Sequence, residues 1–180
     1  MSIIVAREDE EENVIHIAAD RRVSSGNFLE NISYSKILKK GNTVIGCVGA
    51  CRMLQILEYH FDFTWTSLPS MMYNLPTALR EVFSLHHFGD HKSDRAANFG
   101  ESLLIAAPFG LFTVHADYCI LKHEKYAAIG SGRDFALGAM EALEYLEPRD
   151  NITRLAVEAA KKFDSNCGGL LDCATVKLRK

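Results

Sequence analysis

Strand-like and helix-like runs fall in blocks along this chain, and that grouping constrains its fold more than any single residue does. Two apolar strand patterns come first, Ile3-Ile4-Val5-Ala6 and Val14-Ile15-His16-Ile17-Ala18-Ala19, separated by five consecutive acids at 8–12. They read as a β-hairpin with a solvated acidic turn. A polar segment at 21–27 precedes a strand pattern through Ile32, Tyr34 and Ile37 that contains Lys36, and 43–48 is another β-rich run. Gly49-Ala50 then lead into helical spacing over 51–63, where Met53, Leu54, Leu57 and Phe61 share a face. A second helix is expected over 68–85, interrupted at Pro76, which cannot donate to the helical ladder. Residues 86–99 are polar and read as a loop. Strands follow at 103–107, 111–118 and 126–129, with Gly110 and 122–125 as turns. Helices at 134–146 and from Asn151 or Thr153 to Phe163 precede a last strand at 170–178. Strands, two helices, strands, two helices, strand: this order predicts an α+β fold with helices segregated onto sheet faces, whereas regular alternation would indicate a doubly wound parallel sheet.

One domain spanning 1–180 suffices for the chain. At 180 residues and 48% hydrophobic content it can bury roughly 70% of its unfolded surface. Net charge is -3 with scattered lysines and arginines, so the clustered basic footprint of a nucleic-acid binder is absent. The N-terminal region lacks a basic stretch followed by an apolar core, and no apolar run reaches membrane-spanning length. The expectation is a cytoplasmic protein without nucleic-acid or membrane partners. Five cysteines, an odd and irregularly spaced set, read as free and mostly buried thiols, with Cys47 and Cys51 in the core. The segment His86-His87-Phe88-Gly89-Asp90-His91 offers four metal-binding side chains in six residues, but it reads as an exposed loop without a Cys or Glu partner. Neither metal nor cofactor is expected. Met71-Met72-Tyr73 reads as helix core or subunit interface rather than a cofactor box.

Ser2 stands directly behind Met1. Initiator methionine is normally removed before so small a side chain, which would leave Ser2 with both a hydroxyl and a free α-amine. An α-amine titrates at roughly 7.7 to 8.0, so it can take the hydroxyl proton near neutral pH. Serine is also an ordinary second residue, and Ser2 alone decides nothing.

Further residues give it company. The stretch from Val14 through Asp20-Arg21-Arg22-Val23-Ser24-Ser25-Gly26, then Lys36-Ile37 and 46–50, resembles the front half of proteasome β-type subunits and of their bacterial relative HslV. Ile129-Gly130-Ser131-Gly132 and Asp164-Ser165-Asn166-Cys167-Gly168-Gly169 resemble the back half, in the same order. The resemblance implies the four-layer αββα fold of N-terminal nucleophile hydrolases, assembled as a homo-oligomeric ring. It implies peptide-bond hydrolysis on unfolded protein or peptides, with an ATPase unfoldase ring as feeding partner. Ser2 matches the nucleophile, Asp20 and Lys36 its nearest acid and base partners, and Ser131 and Asp164 the supporting polar pair. The backbone N–H of Gly49 or Ala50 falls at the oxyanion hole. Val48 and Arg52 match the specificity pocket, where Arg52 would favour acidic or polar side chains; a bland reading makes Arg52 an exposed helix residue.

Three departures bear on activity. Serine replaces the usual threonine, losing the methyl that restricts χ1. Cys167 stands where active relatives commonly carry serine, and a thiol is a weaker hydrogen-bond partner. Gly49-Ala50 inverts the usual Ala-Gly order. Two other functions stay open: a catalytically silent ring or scaffold subunit, as would follow if Met1 were retained, and a small-molecule amide hydrolase of the same superfamily.

Overall fold

The computed structural model describes residues 2–25, 28–89, 99–146 and 151–179. In chain order its strands are β1 (Ile3–Asp9), β2 (Val14–Asp20), β3 (Arg22–Ser25), β4 (Phe28–Asn31), β5 (Ile37–Lys40) and β6 (Thr43–Val48). Helices α1 (Cys51–His60) and α2 (Leu68–Leu85) follow, then β7 (Ser102–Ala107), β8 (Gly110–Val114), β9 (Ile120–His123) and β10 (Tyr126–Gly130). Helices α3 (Arg133–Leu143) and α4 (Ile152–Phe163) precede the final β11 (Leu171–Lys177).

The first hairpin is buried on both faces, and this sets the architecture. Strands β1 and β2 pair antiparallel with Ile4 opposite Ala19. The two faces of β1 therefore carry alternate residues: Ile3 and Val5 on one, Ile4 and Ala6 on the other. β10 adds to β1 with Ile3 opposite Gly130, and β11 adds to β2 with Leu171 opposite Asp20, giving the sheet order β10-β1-β2-β11. A second sheet, β5-β6-β7-β8-β9, is an antiparallel meander. Ile4, Ala6 and Ile17 pack against Val44, Leu104 and Ala106 of this meander. On the other face of the first sheet, Ile3, Val5 and Ala18 meet Ala136 and Met140 of α3 and Ala156 and Val157 of α4. A third apolar cluster joins Ile45, Leu103 and Ile105 to Leu57 of α1 and to Leu75 and Phe83 of α2.

The acidic turn has a built interior. Asp9 accepts the N–H groups of Glu11 and Glu12, each at 3.0 Å, while residues 10–12 face solvent.

Several local expectations give way to tertiary context. Pro76 lies inside an uninterrupted α2. Met71, Leu75, Leu79, Val82 and Phe83 form one buried stripe along that helix, and their packing outweighs a penalty of about 3 kcal/mol for an interior proline. Ile32 and Tyr34 lie between β4 and β5 rather than in a strand. There the Ser35 hydroxyl donates to the Ile37 carbonyl and accepts from the Ile37 N–H, at 2.9 and 3.2 Å, a local pairing that competes with sheet extension. The strand expected to reach Tyr118 ends at Val114, because the chain reverses through Tyr118 at φ +67°. Residues 120–123, partly read as turn, form edge strand β9, whose exposed Leu121 and Lys122 hide the apolar alternation. All five cysteines are free, but only Cys47 and Cys167 are buried; Cys51, Cys119 and Cys173 are exposed. Met71 is buried, whereas Met72 and Tyr73 face outward. Among the described residues, no helix is long and apolar enough to cross a membrane.

Candidate active site

Strand register carries the first part of the site. Pairing Ile4 with Ala19 brings Asp20, the last residue of β2, beside the backbone just after Ser2. The Ile3 N–H donates to Asp20 Oδ1 at 3.0 Å. Ser2 is 4% exposed and Asp20 is fully enclosed. Lys36, immediately before β5, turns inward at 6% exposure, and its Nζ donates to the same Asp20 Oδ1 at 2.6 Å. That Nζ also donates to the Arg22 carbonyl. Asp20 Oδ2 accepts the N–H groups of Arg22 at 3.2 Å and Gly168 at 2.8 Å. A buried carboxylate is tolerated only with such compensation, and here four donors surround it. Burial pulls the Lys36 ammonium below the ordinary lysine value, and the charge and hydrogen bond of Asp20 pull part of the way back.

A second group approaches from the β10–α3 turn. Gly130 adopts φ +105°, and a Cβ there would lie 2.1 Å from the Ser2 carbonyl oxygen. Only glycine allows this approach. The Gly132 N–H reaches that carbonyl at 3.4 Å. Ser131, exposed in the turn, donates its hydroxyl to Asp164, which caps the C-terminal end of α4. Asp164 Oδ1 accepts both the backbone and side-chain N–H of Asn166 at 2.9 Å, and Oδ2 accepts the Cys167 thiol at 3.3 Å. Burial raises the Asp164 carboxyl, but the donors Ser131, Asn166 and Cys167 outweigh it and hold it below its usual value. Cys167 is fully buried, and burial together with the nearby Asp20 and Asp164 pushes its thiol up to about 12. It is a neutral donor here, not a nucleophile.

The third part is the β6–α1 junction. Gly49 sits at φ +105° and Ala50 is the N-cap residue of α1, with no side-chain cap of its own. A small cavity is lined by Ser2, Lys36, Gly49 and Ala50. Its walls are Val23, Ile32, Tyr34, Cys47 and Leu54, with Cys51 at the rim.

No family model and no curated protein matches the sequence. Solved structures do match it. BPH, the bacterial proteasome homologue of Thiobacillus denitrificans, superposes with a TM-score of 0.83 at 26% identity, covering 99% of each chain. The same protein in complex with epoxomicin gives 0.85 at 24% identity over 100% of both chains. HslV from Trypanosoma brucei gives 0.69 at 21% identity, covering 97% of this chain and 99% of that one.

The chain is similar to proteasome β-type and HslV-like subunits. Within this proteasome-like fold, Ser2, Lys36, Gly49 and Ala50 border one cavity with Asp20 bonded to Lys36, and Ser131, Asp164 and Cys167 form a second hydrogen-bonded cluster whose Cys167 lies near Asp20. Val48 and Arg52 lie elsewhere. Val48 packs between the sheets with Ile4 and Leu104, and the Arg52 guanidinium donates to the His86 carbonyl at 3.1 Å on the outer surface. Among the described residues, the cavity beside Ser2 is lined by Tyr34, Cys47 and Leu54 and not by Arg52.

Two residues of the site lack a local sequence signal. The Arg22 guanidinium donates to the Ser165 and Cys167 carbonyls, both at 3.1 Å, and so ties the end of the first hairpin to the segment carrying Asp164. Glu101, opposite the β6–α1 junction, accepts the Ala50 N–H at 3.1 Å. Both depend on contacts across more than 50 residues, which no periodicity reports. In the histidine-rich segment, the His86 ring lies 4.1 Å from that of His60, while Asp90 and His91 fall outside the described residues. Among the described residues no group of three or more His, Cys, Asp or Glu is placed to hold a metal.

Proposed function

We propose that this chain is a single-domain, proteasome-like peptidase of four-layer αββα architecture, with Ser2 as its N-terminal nucleophile after removal of Met1. The observation that carries the reading is the bridge made by Asp20: one carboxylate oxygen holds both the N–H beside Ser2 and the Lys36 ammonium. A hydroxyl next to that ammonium gains stabilisation as it becomes an alkoxide, and the same positive charge disfavours protonation of the Ser2 α-amine. The neutral amine takes the hydroxyl proton as Oγ attacks the scissile carbonyl. Ser131 and Asp164 orient the amine. The backbone N–H of Ala50, which borders the cavity, serves the tetrahedral oxyanion; loss of such a donor typically costs about 3 to 4 kcal/mol. The protonated amine then passes its proton to the leaving nitrogen, and water later releases the acyl group.

Epoxomicin is the ligand of one of the similar structures and is the natural probe for this site. In this reading the chain works as a homo-oligomeric ring in the cytoplasm on unfolded polypeptide, fed by an ATPase ring. Native mass spectrometry combined with N-terminal sequencing tests it. A closed oligomer whose chains begin at Ser2 supports the peptidase, and a ring of chains that keep Met1 leaves a silent scaffold subunit instead, because the Ser2 nitrogen would then be locked in a peptide bond.

A further inference from the structure

The β6–α1 junction already holds an anion supplied by the chain itself. Val48 pairs with Ser102, so Glu101 is the next residue across from Gly49. The missing Gly49 side chain leaves the space that the Glu101 carboxylate occupies: a Cβ on Gly49 would lie 1.5 Å from Oε2 and 2.4 Å from Oε1. From that position Oε1 accepts the Ala50 N–H at 3.1 Å. Helix α1 has no acidic residue in its first turn and no side-chain cap at Ala50, so the negative charge at its N-terminus comes from the residue just before β7. Gly49 and Ala50 border the same cavity as Ser2 and Lys36. Burial raises the Glu101 carboxyl, and the Ala50 N–H partly offsets this.

We propose that Glu101 is a built-in occupant of the oxyanion position, a carboxylate that substrate must displace from the Ala50 N–H before a tetrahedral intermediate can use it. This rests on the reading of Ser2 as nucleophile. One backbone N–H serves one anion well, and a carboxylate held there by charge-assisted hydrogen bonding competes directly with the developing oxyanion. Glycine at 49 is then required for two reasons: its positive φ, and the space into which Glu101 leans.

The test is the rate of covalent labelling by epoxomicin, followed by intact mass, for the wild-type chain, Glu101→Ala and Glu101→Gln. Removing a charged acceptor from the N–H is worth about tenfold. Glu101→Ala is expected to label about tenfold faster than wild type, with Glu101→Gln in between because its amide oxygen still accepts but carries no charge. If the alanine variant does not fold, the glutamine variant decides: faster labelling supports the proposal, and equal or slower labelling overturns it. Wild-type labelling at Ser2 without acceleration in either variant overturns the Glu101 role and leaves the nucleophile standing. Absence of labelling in all three overturns both.

Discussion

The two polar clusters near Ser2 are built to different standards. In one, Asp20 is fully enclosed and each of its oxygens has two donors, with Lys36 nearly as buried. In the other, Ser131 is exposed, Asp164 is only partly covered, and one of its donors is a thiol. Buried charge tolerates no vacancy, whereas a partly solvated relay can replace a lost partner with water. The Asp20 side therefore couples folding to chemistry, and the Asp164 side tunes chemistry with little hold on the fold.

The sharpest way to break that contrast is Asp20→Asn. It leaves the Lys36 ammonium buried without its counter-charge and should cost about 3 to 5 kcal/mol in chemical denaturation, with labelling at Ser2 lost. A variant of near wild-type stability would show the two clusters to be equivalent. Lys36→Ala comes next. Asp20 keeps three backbone donors, so the chain should fold, while peptide hydrolysis falls by about 10² to 10⁴. Unchanged turnover would remove Lys36 from the site.

Ser131→Ala should lower the labelling rate about tenfold and stability by no more than about 1 kcal/mol. Its pH dependence has a defined sign. The Asp164 carboxyl lies below its usual value in the folded chain, so its stabilising contribution is present above the ordinary aspartate value of about 3.9 and is lost as pH falls through the lowered folded value. The stability gap between wild type and Ser131→Ala should accordingly be full near neutral pH and close in acid. A gap that widened in acid would reverse the assignment. The smallest effect belongs to Cys167. With its thiol at about 12 and no exposure, it should resist alkylation at pH 8 in the native chain while the exposed Cys51, Cys119 and Cys173 react, and Cys167→Ser should change stability by less than about 1 kcal/mol.

The strongly patterned parts of the molecule were legible in the residues. Paired apolar runs gave the first hairpin, the helical spacing of Met53, Leu54, Leu57 and Phe61 gave α1, and the other three helices among the described residues lie where helical segments were expected. Asp20, Lys36 and Gly49-Ala50 were marked by order along the chain, and the structure gathers Lys36, Gly49 and Ala50 around one cavity with Ser2, with Asp20 bonded to Lys36. What stayed hidden depends on register between distant strands. Glu101 reads as one more surface acid until β7 lies against β6, and Arg22 as a second arginine in a turn until 165–167 comes within reach. Val48 and Arg52 show the converse: chain order alone places them at the pocket, but the pleat turns Val48 into the inter-sheet core and the start of α1 turns Arg52 toward the end of α2.

The claim that Ser2 unites nucleophile and base in one residue has a direct test. An epoxyketone carries two adjacent electrophiles, a ketone for a hydroxyl and an epoxide for an amine, so a residue offering both closes a ring onto it. The chain is treated with epoxomicin, digested, and the adduct mapped by tandem mass spectrometry. The expected result is a single adduct on an N-terminal peptide that begins at Ser2, absent from Ser2→Ala. An adduct at another residue, or a chain that still carries Met1 and remains unlabelled, would contradict it.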